Sequence, residues 1–188
     1  AQHKDIISCS GDGNCLFRAI SHQIYGDEVH HLLVRRKCVE YMSHNMEHFS
    51  AACQALRGAN GDFQAYLSVM AKDAREGGEL AWGDHPEISA CAEIYNRQIE
   101  IWTYNAMENS AHVQEHCRFG TGYQQNDLEV NIPVRLSFYK GGHYDSIVGQ
   151  GWEKNVVSAR PGEVEDAAIA VAKLRAPGVF DAAIRACY

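Results

Sequence analysis

The chain has 188 residues and a formal net charge of −7, with 17 Lys and Arg against 24 Asp and Glu. That length fits one domain, the acidic balance argues against a nucleic-acid binder, and no apolar run approaches the roughly 20 residues a membrane-spanning helix needs. Seven cysteines, Cys9, Cys15, Cys38, Cys53, Cys91, Cys117 and Cys187, are odd in number, scattered and without a C-x-x-C pair, which suits neither a secreted disulfide framework nor a structural zinc site. No signal peptide is read at the start, and a reducing compartment, cytoplasmic or nuclear, is expected.

Ile6 and Ile7 predict a short strand or an apolar anchor. A loop with Gly11 and Gly13 then ends at Cys15, from which Leu16, Phe17, Ile20 and Ile24 recur at helical spacing, so a helix with one buried face is expected over 15–25. A cysteine at a helix start meets unpaired N–H groups and the positive dipole end, which favour a thiolate and can hold an oxyanion. Cys15 is therefore either a nucleophile or one more buried structural cysteine. Tyr25-Gly26-Asp27 makes a break, with Asp27 as N-cap of the next helix. Over 28–46, Leu32, Leu33, Val39, Met42 and Met46 form an apolar stripe, with Arg35, Arg36, Lys37, Glu40 and His44 largely on the solvated side.

Shorter helices are expected over 49–57 and 62–74, the second burying Phe63, Tyr66, Leu67 and Met70. Residues 76–84 read as an irregular loop. Pro86 opens a helix over 86–95, with Asp84 or His85 near its cap and Ile88, Cys91, Ala92 and Tyr95 facing the core. From Gln98 the period changes to two, giving a strand from Ile99, a second around 111–119, and an antiparallel hairpin of 134–139 with 143–148 across Lys140-Gly141-Gly142. Helices first and strands later make an α+β layer with the first helix on the sheet. Beyond Gly149 the composition shifts, and two small-sided helices, 163–176 and 179–187, form an extension over 150–188 behind a domain of residues 1–149. The pairs His44 with His48, His112 with His116, and His116 with Cys117 lack any metal-site context and read as solvated histidines; no cofactor is expected.

His143 and Asp145, two apart on a strand, share a face, which suits an imidazole oriented by a carboxylate. Gly141 and Gly142 leave room beside it for a slender substrate backbone. Alone, the pair reads more readily as a strand end in water. An early Cys at a helix start with a late His on a strand is, however, the order of several papain-like hydrolases.

Four stretches sharpen this. Asp12-Gly13-Asn14-Cys15-Leu16-Phe17-Arg18-Ala19 resembles the nucleophile motif of the ovarian-tumour (OTU) family of cysteine deubiquitinases. Trp82-Gly83-Asp84-His85-Pro86-Glu87-Ile88 resembles its tryptophan-glycine segment, and residues 92–101 its helix-to-strand passage. Arg135-Leu136-Ser137-Phe138-Tyr139 with His143-Tyr144-Asp145-Ser146-Ile147-Val148 resembles its histidine motif. Tyr25-Gly26-Asp27 and Tyr95-Asn96-Arg97 look most like the DUBA-type branch.

The resemblance spans about residues 5–149 and implies a papain-like OTU fold, a small, mostly antiparallel sheet packed between helices. It implies Cys15 as nucleophile, His143 as general base and Asp145 as the orienting group, a position where that branch commonly has Asn. Asp12 matches an active-site aspartate and is assigned to shaping the oxyanion loop, whose backbone donors are Gly13, Asn14 and Cys15. Trp82, Gly141, Gly142 and Tyr144 are the expected substrate-binding residues. Ubiquitin and polyubiquitin chains are the implied partners of a monomer that needs no metal, nucleic acid or membrane. The arginines before the two C-terminal glycines of ubiquitin would meet Glu76, Glu79 or Asp84. The rivals are a protease for another ubiquitin-like protein and a catalytically silent ubiquitin-binding module. Glu163-Val164-Glu165-Asp166 with Ala167-Ala168-Ile169-Ala170 faintly resembles a ubiquitin-interacting helix, though it lacks the usual serine, and a docked amphipathic helix is the alternative.

Overall fold

The computed structural model describes residues 4–54, 62–105, 110–119, 132–139 and 142–157. Strand β1 (Lys4–Ile7) leads through a loop into α1 (Cys15–Tyr25), followed by α2 (His31–His44), α3 (Met46–Gln54) and α4 (Phe63–Met70). The single turn α5 (Ala74–Gly77) runs into a 3-10 turn (Gly78–Ala81), and α6 (His85–Ile94) closes the helical half. Then come β2 (Ile99–Asn105), β3 (Ser110–Phe119), β4 (Val134–Tyr139), β5 (His143–Gly149) and a 3-10 turn (Trp152–Asn155). The strands form one sheet in the order β1-β5-β4-β2-β3, antiparallel except where β2 runs parallel to β4. The expected α+β layout and the β4–β5 pairing are both present.

Alternation sorts the sheet. Ile99, Ile101, Val134, Leu136 and Tyr144 are buried on one face, and α1 lies there with Leu16, Phe17, Ile20 and Ile24 buried. Each such side chain contributes about 1.5–3 kcal/mol of burial. Direction comes from polar groups: Gln23 Nε2 donates to Ser146 Oγ (2.8 Å) and to Ile147 O (2.9 Å) on β5. Those bonds fix the height of α1, and therefore of Cys15 at its start, against β5.

The differences from expectation have local causes. Asp27 accepts from Val29 N (3.0 Å) in a turn of its own and caps nothing, so α2 begins at His31. Asn45 breaks the long helix, its Nδ2 donating back to Tyr41 O (2.8 Å). The helix expected over 62–74 stops at Met70; Asp73, near the end of that span, instead caps α5, which runs on into the stretch read as loop, accepting from Arg75 N (3.0 Å). At α6 the expected cap is present as a full capping box of Asp84 and Glu87 with Pro in the first turn. Ile6 and Ile7 form strand but are 62% and 38% exposed, so they anchor nothing. Past Gly149 the described residues pack back on α1: Trp152 stacks on His22 (4.9 Å between centroids) and Val157 N donates to Ile24 O (2.7 Å). Gly141 and the helices expected over 163–176 and 179–187 lie outside the described residues. Among the described residues no helix is long and apolar enough to cross a membrane.

Candidate active site

The loop before α1 is bent by two devices. Gly13 has φ +83°, and a Cβ there would lie 2.6 Å from Trp82 Nε1 and 2.8 Å from Ala74 Cβ, so only glycine fits. Asp12 Oδ1 accepts from Asn14 N (3.1 Å), while Arg18 grips the same carboxylate through Nε (3.1 Å) and Nη2 (2.7 Å). Burial alone would raise the Asp12 pKa; the hydrogen bonds from Arg18 and Asn14 outweigh it and hold the carboxyl below its ordinary range. Of the three backbone groups expected to face an oxyanion, that of Asn14 is thus engaged by Asp12, leaving Gly13 and Cys15.

Cys15 is the first residue of α1 and 8% exposed. Its thiol donates to Gly142 O at 3.9 Å, which brings the sulfur to the residue preceding His143. Burial pushes the thiol above its ordinary range; the backbone N–H groups of Tyr144, Leu16 and Cys15 itself pull it back only in part. The lowering expected from the helix end is therefore reversed, because desolvation exceeds the contribution of those donors.

His143 opens β5, and its Nε2 lies 3.0 Å from Asp145 Oδ1. Asp145 is 3% exposed; the same oxygen also accepts from Cys9 N (2.8 Å), and Oδ2 accepts from the Tyr139 hydroxyl (2.9 Å). A carboxylate only accepts, so His143 carries its proton on Nε2 and presents a lone pair at Nδ1. That ring edge faces the loop before α1, where a Cβ on Gly11 would come 3.9 Å from Nδ1.

The Trp82 ring lies between the two glycine segments. It touches the position of a Cβ on Gly13 and, through Cζ3, would meet one on Gly142 at 3.7 Å. Tyr144 differs from expectation: its ring is 5% exposed and packs on Phe138 (4.8 Å between centroids), on the face that α1 covers. It cannot line a groove there and contributes a backbone N–H beside the Cys15 sulfur instead. Asp84 spends Oδ1 on the α6 cap, accepting from His85 N (2.9 Å).

A buried network under the nucleophile loop was not legible beforehand. Asn14, fully buried, donates through Nδ2 to Asp73 Oδ1 (2.9 Å) and accepts on Oδ1 from Ala74 N (3.2 Å) and Arg35 Nη2 (2.7 Å). Arg35, expected on the solvated side of its helix, is 1% exposed. Its Nη1 donates to Met70 O (2.9 Å) and Ala81 O (2.8 Å), and the guanidinium sits 4.2 Å from the Phe17 ring centroid. Burial pushes it down to about 10 against the opposing pull of Asp73 and Glu87. The signal was its spacing: 31, 35, 38 and 42 form one helical stripe whose other members, His31, Cys38 and Met42, are buried.

Among the described residues no group of three His, Cys, Asp or Glu is arranged to hold a metal ion. His44 Nδ1 is 2.7 Å from Glu40 O and His48 Nε2 is 3.5 Å from Glu93, so those two are separately engaged. The side chains of His112, His116 and Cys117 fall outside what is described.

Residues 10–144 match the family model described as OTU-like cysteine protease. Over 138 residues the chain is 35% identical to OTU domain-containing protein 5 of Xenopus tropicalis, covering 73% of this chain and 22% of that protein. Over 137 residues it is 35% identical to OVARIAN TUMOR DOMAIN-containing deubiquitinating enzyme 6 of Arabidopsis thaliana, covering 73% and 23%. The chain thus spans under a quarter of the length of these relatives. Among solved structures it resembles the OTU domain of OTUD1, with a TM-score of 0.60 and 27% identity over 77% of this chain and 85% of that one. It shares its fold with an OTU domain solved in complex with ubiquitin, with a TM-score of 0.52 and 21% identity over 91% and 84%.

Proposed function

The chain belongs to the family of OTU-like cysteine proteases, and from that premise we propose that it is a deubiquitinase, hydrolysing isopeptide bonds at the C-terminal glycine of ubiquitin. One observation carries the reading. The sulfur of Cys15 meets the backbone of Gly142 at the mouth of the strand on which Asp145 orients His143.

In this mechanism Cys15 Sγ leaves Gly142 O and passes its proton to His143 Nδ1 as it bonds the glycine carbonyl carbon. The carbonyl π electrons become an oxyanion held by the N–H groups of Gly13 and Cys15. The oxyanion collapses, the lysine amine departs with the proton from Nδ1, and a thioester remains. Water, deprotonated by the same Nδ1, attacks it and releases the ubiquitin carboxylate and the thiol. Burial disfavours the Cys15 thiolate, so in this mechanism His143 takes the proton as the sulfur attacks. The two glycines of the tail would run past Gly142 beside the Trp82 ring, and Glu76 and Glu79 on the turns before Trp82 meet its arginines. The chemistry needs a reduced sulfur, which suits the cytoplasm or nucleus. Polyubiquitin chains would enter as substrates of a monomer.

Within the family we assign the chain to the DUBA-type branch. The two tyrosines that carry this likeness support it, since Tyr25 and Tyr95 meet with hydroxyls 3.4 Å apart.

The test is labelling by ubiquitin bearing a C-terminal electrophile, followed by a panel of differently linked diubiquitins. Labelling lost on Cys15→Ser, with cleavage of at least one linkage, is expected. Binding of ubiquitin without turnover would identify a silent module. Turnover only of another ubiquitin-like protein would replace the substrate.

A further inference from the structure

The second oxygen of Asp145 is held by a residue outside the three groups assigned above. Across the β4–β5 hairpin, Asp145 stands directly opposite Ser137, and His143 opposite Tyr139. The direct neighbour does not serve Asp145: Ser137 Oγ is buried with no hydrogen-bond partner among the described residues. The diagonal neighbour does, since the Tyr139 hydroxyl reaches Oδ2 at 2.9 Å while its ring stands edge-on to His143, 5.4 Å between centroids. Diagonal pairs of this kind lie within reach of long side chains.

We propose that Tyr139 is a positioning residue of this site, its hydroxyl locking Asp145 so that Oδ1 stays aimed at His143 Nε2.

A carboxylate with one bare oxygen can rotate toward water and exchange the oxygen it offers to the imidazole. Cys9 N and His143 both bond Oδ1, so Tyr139 supplies the bond recorded at Oδ2. Asp145 in turn pushes the Tyr139 phenol above its ordinary range, which keeps the hydroxyl a donor. The other ionisable groups around the pair are the Cys15 thiol on α1, the Cys9 thiol before it and Glu28 beside Cys9. None of them can replace the phenol as a donor to Oδ2 without moving.

The inference rests on the proposed hydrolase activity, and two readouts separate the two claims. Tyr139 is 47% exposed, so Tyr139→Phe removes one oxygen without opening the core. With a ubiquitin C-terminal fluorogenic amide, Tyr139→Phe should lower kcat about tenfold, the value of one hydrogen bond to a charged group, with KM unchanged. In an Asp145→Ala background the same change should have no further effect. Nitrogen NMR of histidine-labelled chain, which needs no turnover, should show His143 as the Nε2–H tautomer in the parent and as a mixture in Tyr139→Phe. Ser137→Ala should leave kcat unchanged. An equal loss in both backgrounds, a rise in KM alone, or an unaltered tautomer would overturn the proposal. A parent chain that never cleaves would sink the hydrolase reading while the tautomer still judged Tyr139.

Discussion

Arg35 on α2 donates to Asn14 Oδ1 at 2.7 Å, so a buried cation holds the residue immediately before the candidate nucleophile. The same guanidinium bonds Ala81 O, one residue before Trp82. One charged group therefore sets the distance between the nucleophile loop and the wall facing it. Arg35→Met keeps the volume, strands Met70 O and Ala81 O, and leaves Asn14 Oδ1 with Ala74 N alone. It should cost about 3–5 kcal/mol of stability, the usual price of removing one partner from a buried polar network. Urea unfolding measures this, and a loss under 1 kcal/mol would show that water or a neighbour replaces the guanidinium.

Gly13→Ala should cost more than a left-handed backbone alone. Adding the methyl forces αL strain and a clash with Trp82 and Ala74, together about 2–5 kcal/mol, and should displace Cys15 enough to abolish labelling. Gly151 has φ +83° as well but nothing within 4 Å of its Cβ position. Gly151→Ala should therefore cost only about 1–2 kcal/mol and leave activity intact. Similar losses at both sites in thermal or urea unfolding would refute the role of the clash.

Alkaline stability should be governed by thiols. Burial pushes Cys9 up to about 12 and raises Cys15 and Cys38 as well. A folded pKa above the unfolded one means the native state retains a proton the unfolded state gives up. The stability is then fully present below the unfolded thiol pKa of about 8.5 and falls above it, by about 1.4 kcal/mol per pH unit for each such thiol. Urea midpoints taken at increasing pH should drop above that value, and Cys9→Ala should make the decline shallower. An identical slope in the variant would mean the Cys9 thiol titrates normally in the fold.

The two aspartates should separate cleanly. Asp145 contacts His143, whereas Asp12 contacts Arg18 and Asn14 N. Asp145→Ala should lower kcat about a hundredfold or more, the low end of what an oriented base contributes. Asp12→Ala should reduce kcat less than tenfold and take about 1 kcal/mol from stability, its carboxylate being partly solvated. Steady-state kinetics on both variants decides it; the reverse ranking would transfer the orienting role to Asp12.

What could be read in the sequence divides by physical type. Helix α1, the β4–β5 hairpin and the cap at Asp84 rest on short-range patterns, and each begins within a residue of its expected place. Arg35 is hidden because Arg35-Arg36-Lys37 looks like a solvated face, although its place on the stripe 31, 35, 38 and 42 points inward, where it is 1% exposed. Asp73 and Asn14 lie 59 residues apart, and no local rule joins them. The Tyr139 bond to Asp145 depends on register and a diagonal reach across two strands, information that exists only once the sheet is built. The Cys15 pKa reversed direction for a related reason: a dipole is readable from a helix start, whereas desolvation depends on everything that folds over it.

Cys9 and Asp145 are 136 residues apart, Cys15 and Gly142 127 apart, and β1 joins the sheet only along β5. The ribosome thus delivers Cys15 early and His143 late, and the two cannot be joined until β5 has cleared the exit tunnel. A single cut between β4 and β5 would sever the covalent path between Cys15 and His143, leaving the pairing of β5 with β1 and β4 to hold the two together.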